Sequence, residues 1–235
     1  ERIVPHIYSV SINRCHERKA TVVCSYSMGG TIKKPVLRGE LKWTIFGSGD
    51  ILLEVQAAVR EGLPFLPRFG LQLMMPEGNE RVEYFGFGPH ESYTDKRRST
   101  IKSRFSAMVR EMHEDYIMPQ ENGSHYGTEW AVVTNLTGVG LLFAGEEDFS
   151  FNASHFTPED LTTAEHDVEL QPRKETIVNL DYRMSGVGSN SCGPDLAQQY
   201  RLNEKEIRFA LRLKPVDTEQ NAVLKIVRSN IVDDI

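Results

Sequence analysis

The stretch Leu53-Glu54-Val55-Gln56-Ala57-Ala58-Val59 decides the fold class. In an extended chain Leu53, Val55, Ala57 and Val59 fall on one face, and Glu54 and Gln56 on the other. Successive side chains of a strand point to opposite sides, so this period of two sets one face on a core and one in water. The pattern recurs outward along the chain. Leu41, Trp43 and Ile45 alternate with Glu40, Lys42 and Thr44, and Phe69, Leu71 and Leu73 stand opposite Arg68 and Gln72. Val178, Leu180 and Tyr182 alternate with Asn179, Asp181 and Arg183, and Ile207, Phe209, Leu211 and Leu213 alternate with Arg208 and Arg212. Shorter apolar runs at 21–26, 82–85, 130–133 and 139–144 read as further strands. Turn chemistry separates them: Gly29-Gly30, Gly47-Ser48-Gly49-Asp50, Pro76-Glu77-Gly78-Asn79 and Glu121-Asn122-Gly123. Many short half-buried strands with such punctuation predict an all-β sandwich of antiparallel sheets.

One short helix is expected after Thr157. This residue can cap it, Pro158 suits the first helical position, and Glu159 and Asp160 favour the positive helix end. Leu161 and Ala164 would pack it on a sheet, and residues 195–200 can form another turn or two. Residues 1–216 are expected to form the sandwich and 217–235 an extension, with 222–227 as an edge strand, a partner contact or a foreign tail.

With 235 residues, at roughly 150 per domain, one to two domains are expected. The net charge of −6 argues against a dedicated nucleic-acid binder, which is usually strongly basic. No apolar run approaches the ~18 residues of a membrane span, and the start carries no signal-peptide pattern. Cys15, Cys24 and Cys192 are odd in number and irregular in spacing, which reads as three reduced thiols in a cytoplasmic protein.

The seven histidines form no His-x-His or His-x-x-x-His pair and stand at no zinc spacing from a cysteine, so no metal ligand is assigned. Gly86-Phe87-Gly88-Pro89-His90 has the glycines of a phosphate loop, but Pro89 lacks an amide and no helix follows. No Gly-x-Ser-x-Gly elbow is present. Glu146 and Glu147 are adjacent, a poor pair for glycoside hydrolysis if extended, and Gly145-Glu146-Glu147-Asp148 reads as a solvated loop. Two segments stand out. In Tyr116-Ile117-Met118-Pro119-Gln120-Glu121-Asn122-Gly123 the proline fixes an extended approach, and the Gln120 and Glu121 side chains are expected to bond backbone around a tight turn. In Met184-Ser185-Gly186-Val187-Gly188-Ser189-Asn190-Ser191-Cys192-Gly193-Pro194 three glycines allow close approach of another surface. Each segment reads either as a binding loop or as a structural corner.

These segments resemble the C-terminal β-sandwich domain of glycoside hydrolase family 2 β-galactosidases. Phe85-Gly86-Phe87-Gly88-Pro89-His90-Glu91-Ser92-Tyr93-Thr94-Asp95-Lys96-Arg97 is similar to one family element, and Pro119-Gln120-Glu121-Asn122-Gly123 with Trp130 to a second. Phe149-Ser150-Phe151-Asn152-Ala153-Ser154-His155-Phe156-Thr157 resembles a third, and Asn179-Leu180-Asp181-Tyr182 with Gly186-Val187-Gly188 and Ser191-Cys192-Gly193-Pro194 the closing signature. The match runs from about Ile3 to Lys214.

The resemblance implies an antiparallel supersandwich of the galactose mutarotase-like kind that begins inside the family domain, leaving an exposed strand edge. It implies a retaining enzyme of terminal β-galactosides such as lactose, whose two catalytic glutamates and Mg and Na ligands lie on a separate (β/α)8 barrel. It assigns no catalytic residue, metal or cofactor to this chain, which alone is expected to be inactive. The barrel, in the same polypeptide or a large subunit, is the expected partner, together with the galactoside, in a homo-oligomeric enzyme. In some members a Trp on the closing loop borders the sugar. Cys192 stands at that position, loses the stacking face, and is expected either to line the pocket or to pack inertly in its loop. Two rivals share the fold. A carbohydrate-binding module needs exposed aromatics, and Trp43 and Trp130 read as core-facing. A sugar epimerase needs a general acid and base in one cleft, for which His90, His113, His125 and His155 are the raw material.

Overall fold

A computed structural model describes residues 3–16, 18–30, 33–188, 193–220, 222–229 and 231. In chain order its strands are β1 (Val4–His16), β2 (Lys19–Gly29), β3 (Leu37–Phe46), β4 (Ile51–Val59), β5 (Arg68–Met75), β6 (Arg81–Gly88), β7 (Ile101–Met108), β8 (His125–Thr134), β9 (Val139–Ser154), β10 (Thr176–Met184) and β11 (Glu206–Asp217). Two short helices, α1 (Pro158–Thr163) and α2 (Val223–Arg228), lie outside the sheets. Hydrogen bonding runs β1-β2-β3-β4-β11-β9-β8-β6-β7, and β10 joins β9 on one side and β5 on the other. Each pairing is antiparallel. β11 inserts between β4 and β9, so the last strand of the chain locks the first four to the rest.

The sandwich turns on β9. Its first half, Val139 to Gly145, pairs with β11, and its second half, Ser150 to Ser154, pairs with β10. Between them the register against β8 shifts, a bulge that bends the strand from one layer to the other. Glu146 and Glu147 lie in this bulged stretch of β9 rather than in a loop, although both are exposed as expected. Apolar side chains fill the space between the layers: Leu53 and Val55 from β4, Leu211 from β11, Phe143 and Phe151 from β9, and Val178 and Leu180 from β10. Burying each such side chain contributes about 1.5–3 kcal/mol.

The period-two runs become β3, β4, β5, β10 and β11. One expectation reverses on β10. Asn179 and Asp181, assigned to water by alternation, are 7% and 3% exposed. The neighbouring strand β5 supplies polar partners: Gln72 Nε2 donates to Asn179 Oδ1 at 3.0 Å, and Arg68 takes Asp181. Two strands escape the pattern. β1 is an edge strand with Ile7, Tyr8, Val10 and Ile12 all exposed, and β7 is the opposite edge.

Helix α1 forms where its signals stand. Thr157 Oγ1 accepts from Asp160 N at 3.1 Å, Asp160 Oδ2 accepts from Thr157 N at 2.8 Å, and Leu161 is buried. A single 3-10 turn at Gln198–Tyr200 falls in the second helical candidate. The tail differs from the strand alternative, because residues 223–228 are helical. Val223, Ile226 and Val227 recur at helical spacing and pack on Trp130, Leu142 and Val216. Arg212 then ties the tail down, donating to Ser229 O at 2.7 Å and to Asp50. Among the described residues no helix is long and apolar enough to cross a membrane.

Candidate functional site

Three connections meet at one end of the sandwich: residues 89–100 after β6, residues 113–124 before β8, and residues 185–188 after β10. They carry most of the distinctive sequence elements, and buried polar groups join them.

Glu91, 7% exposed, is the first hub. Its carboxylate accepts from Lys96 Nζ, from Tyr116 Oη at 2.5 Å and from the Gly123 amide at 2.8 Å. Burial pushes this carboxyl up, but the Lys96, Tyr116 and Gly123 donors outweigh it and hold Glu91 below the usual carboxylate range. Gly123 has φ of 71°, and a Cβ there would stand 2.3 Å from Met112 O, so the turn needs glycine. Asn122 braces it. Its Oδ1 accepts from Glu114 N at 3.1 Å and its Nδ2 donates to Gln120 O at 2.9 Å, while Asn152 Nδ2 on β9 donates to Asn122 O at 2.7 Å. The backbone bonds expected of Gln120 and Glu121 are thus made by Asn122. Its shorter side chain reaches the turn's own backbone, whereas the longer Glu121 reaches across to β5.

Arg68 on β5 is the second hub. Its Nε and Nη2 engage Asp181 on β10 at 3.1 and 2.5 Å, and its Nη1 engages Glu121 at 2.7 Å. One guanidinium thus holds the 113–124 connection to the β5–β10 layer. Burial pushes the Asp181 and Glu121 carboxyls up, against the pull of Arg68. Tyr93 Oη and Glu121 Oε1 are buried without a hydrogen-bond partner among the described residues, and burial likewise pushes the Tyr93 hydroxyl up.

The third tie is Asp95, whose Oδ1 accepts from Val187 N at 3.1 Å and Oδ2 from Gly188 N at 2.9 Å. Behind the hubs lies His125, 2% exposed, with Nδ1 3.0 Å from Phe87 O and its ring 4.3 Å from that of Tyr84. Burial lowers its pKa to about 4, so it is neutral and donates from Nδ1.

The remaining candidate histidines do not join it. His90 is exposed, His113 packs on Phe156 with ring centroids 4.8 Å apart, and His155 bonds Glu175 O at 3.1 Å. Among the described residues no hydrogen bond or ring contact links two of the four. Nor does any group of three or more His, Cys, Asp or Glu side chains there stand ready to hold a metal ion. Cys192, the one substrate-binding candidate, lies outside the described residues. The roles of Arg68, Glu91, Asp95 and Asp181 escaped sequence reasoning. The one signal was indirect: glycines at 186 and 188, on a segment that some other group approaches closely.

The family model "Beta galactosidase small chain" matches residues 4–213. The chain is 43% identical over 178 residues to a β-galactosidase of Actinobacillus pleuropneumoniae, covering 75% of this chain and 17% of that protein. It is 34% identical over 209 residues to a β-galactosidase of Staphylococcus xylosus, covering 89% and 21%. The chain thus spans about a fifth of each relative. Among solved structures, the galactose 1-epimerase of Lactobacillus acidophilus NCFM aligns over 90% of this chain and 67% of its own, with a TM-score of 0.50 at 10% identity, a likeness of fold alone. The family match takes in all three hubs, from Arg68 through Asp95 to Gly188, so the elements that interlock at this end are family elements, and the chain belongs to the β-galactosidase small-chain family.

Proposed function

We propose that this chain is the noncatalytic portion of a retaining β-galactosidase of glycoside hydrolase family 2. In this reading it braces the catalytic barrel and completes the pocket for a terminal β-galactoside such as lactose. The observation that carries it is the convergence of the three connections through Glu91, Arg68 and Asp95, which builds a stiff rim from loops that are far apart in sequence. A rim built this way suits presentation of a wall to a neighbouring active site, because a binding surface must be held within a fraction of an ångström to act on rate. The two bond-breaking glutamates are assigned to the barrel. Mg and Na, when they act, are assigned there too. Cys192 is assigned to the pocket wall by its position in the closing signature, and the complete enzyme is read as a homo-oligomer.

The binding-module alternative is weaker, because Trp130 is 4% exposed and Trp43 packs partly buried against the core, leaving neither as an open platform. The epimerase alternative is weaker, because His125 is buried and the carboxylate beside His113, Asp115 at 3.8 Å, stands at the exposed surface rather than in a cleft.

The test is complementation. The purified chain is expected to release no o-nitrophenol from o-nitrophenyl β-galactoside. The catalytic remainder of its enzyme is expected to be weak alone and restored on mixing. Turnover by the chain alone, with host enzyme excluded, overturns the reading.

A further inference from the structure

The amides that follow β10 are each taken up in turn. Ser185 N donates to Pro67 O at 2.9 Å and Gly186 N to Tyr200 O at 2.8 Å. Both of these acceptors are backbone carbonyls of the sandwich, so they fix only where β10 ends. The next two amides, Val187 N and Gly188 N, have no carbonyl partner among the described residues. Asp95, 92 and 93 residues away in sequence, accepts from both, one carboxylate oxygen each.

The approach has been made possible on both sides. An ideal Cβ at Gly186 would stand 2.4 Å from Asp95 Oδ2, and one at Gly188 would stand 3.2 Å from it. Any side chain at 186 would push the carboxylate off the amides, so the glycine there makes room for the anion. Asp95 in turn sits in a tight turn closed in both directions, Tyr93 N to Lys96 O at 2.8 Å and Lys96 N to Tyr93 O at 3.1 Å. Tyr93 is 2% exposed, and Lys96 is pinned on Glu91, the hub that also holds Gly123. The carboxylate is therefore carried on a rigid mount and aimed at two successive backbone donors, the arrangement in which an anion orders a loop.

We infer that Asp95 is a positioning residue of the β-galactosidase reaction. By clasping Val187 and Gly188 it sets the direction in which the chain leaves the sandwich at this end of the rim. This rests on the reading that the chain completes a galactoside pocket. Asp95 touches no substrate and moves no proton. It acts on galactoside affinity through the backbone it holds, so its loss removes binding that substrate and transition state share.

The experiment uses the complete enzyme and o-nitrophenyl β-galactoside, with Asp95→Asn and Asp95→Ala. Asparagine keeps the shape and one acceptor but turns an N–H toward an amide N–H. Amide hydrogen exchange at Val187 and Gly188 is followed in the same preparations. The expected result is a KM raised about tenfold in both variants with kcat within roughly threefold, the signature of lost uniform binding. Faster exchange at the two amides and an unchanged thermal midpoint are expected alongside. Wild-type enzyme without galactosidase activity overturns the pocket reading and this inference together. Active wild type with an unaltered KM in both variants overturns this inference alone. So does a KM change without faster exchange at 187 and 188, or a fall of KM-independent activity that tracks a lowered thermal midpoint, which is mere structural damage.

Discussion

Acid should loosen this sandwich through His125. The unfolded histidine takes up a proton near pH 6.5, while the buried one resists protonation until about pH 4. Below pH 6.5 the unfolded chain therefore binds the extra proton, and stability falls as pH falls. The contribution is fully present above pH 6.5 and is lost progressively down to about pH 4. The gap of about 2.5 pH units corresponds to roughly 3 kcal/mol, of which about 2 kcal/mol is gone by pH 5. The perturbation is His125→Asn, which retains an amide donor toward Phe87 O but cannot titrate. It loses the contact with Tyr84 and is less stable at every pH. The informative quantity is the difference between wild type and variant, measured by urea unfolding from pH 7.5 to 4.5. Carboxylates common to both, such as Glu91 and Glu121, largely cancel from this difference. The wild-type advantage should shrink by about 2 kcal/mol between pH 7 and pH 5. A difference that stays constant across that range would refute the assignment of a neutral, proton-resisting His125.

Other perturbations bear on the hubs and the tail. Gly123→Ala forces a side chain onto Met112 O at a left-handed φ, and should cost about 2 kcal/mol or more in urea unfolding. Arg68→Met strands two carboxylates, one of them 3% exposed, and should cost about 3 kcal/mol at pH 7 while Arg68→Met with Asp181→Leu recovers part of it; a double-mutant cycle measures the recovery. Thr157→Ala removes the acceptor for Asp160 N and should cost about 1 kcal/mol, read from thermal unfolding. Val223→Asp places a charge in the cluster around Trp130, and should lift α2 away and shift tryptophan emission to the red.

The sheets were legible from residues such as Leu53, Val55 and Leu180 because a period of two is a local property that a strand either has or lacks. The start of α1 was legible for the same reason, since a cap and its partner are three residues apart. Edge strand β7 was not, because it packs on the core only through Phe105 and Ala107, too short a run of apolar alternation to stand out. The tail was misread as a possible strand because six residues hold too few turns to separate one period from another, and the surface formed by Trp130, Leu142 and Val216 decides it.

The rim shows the division most clearly. The elements around Glu91, Gly123 and Gly188 could be recognised as a set from the chain alone, and so could their family. Which of their side chains do the joining could not. Arg68 meets Asp181 across 113 residues and Asp95 meets Val187 across 92, and no local rule selects such partners. Asp181 even has the position of a solvent-facing residue, yet it is buried, and the neighbouring strand β5 brings the guanidinium that pairs with it. Local pattern determined the strands, since it depends on neighbours a few residues away; the fold alone decided the contacts that make a site, since these depend on which distant strands the layers bring together.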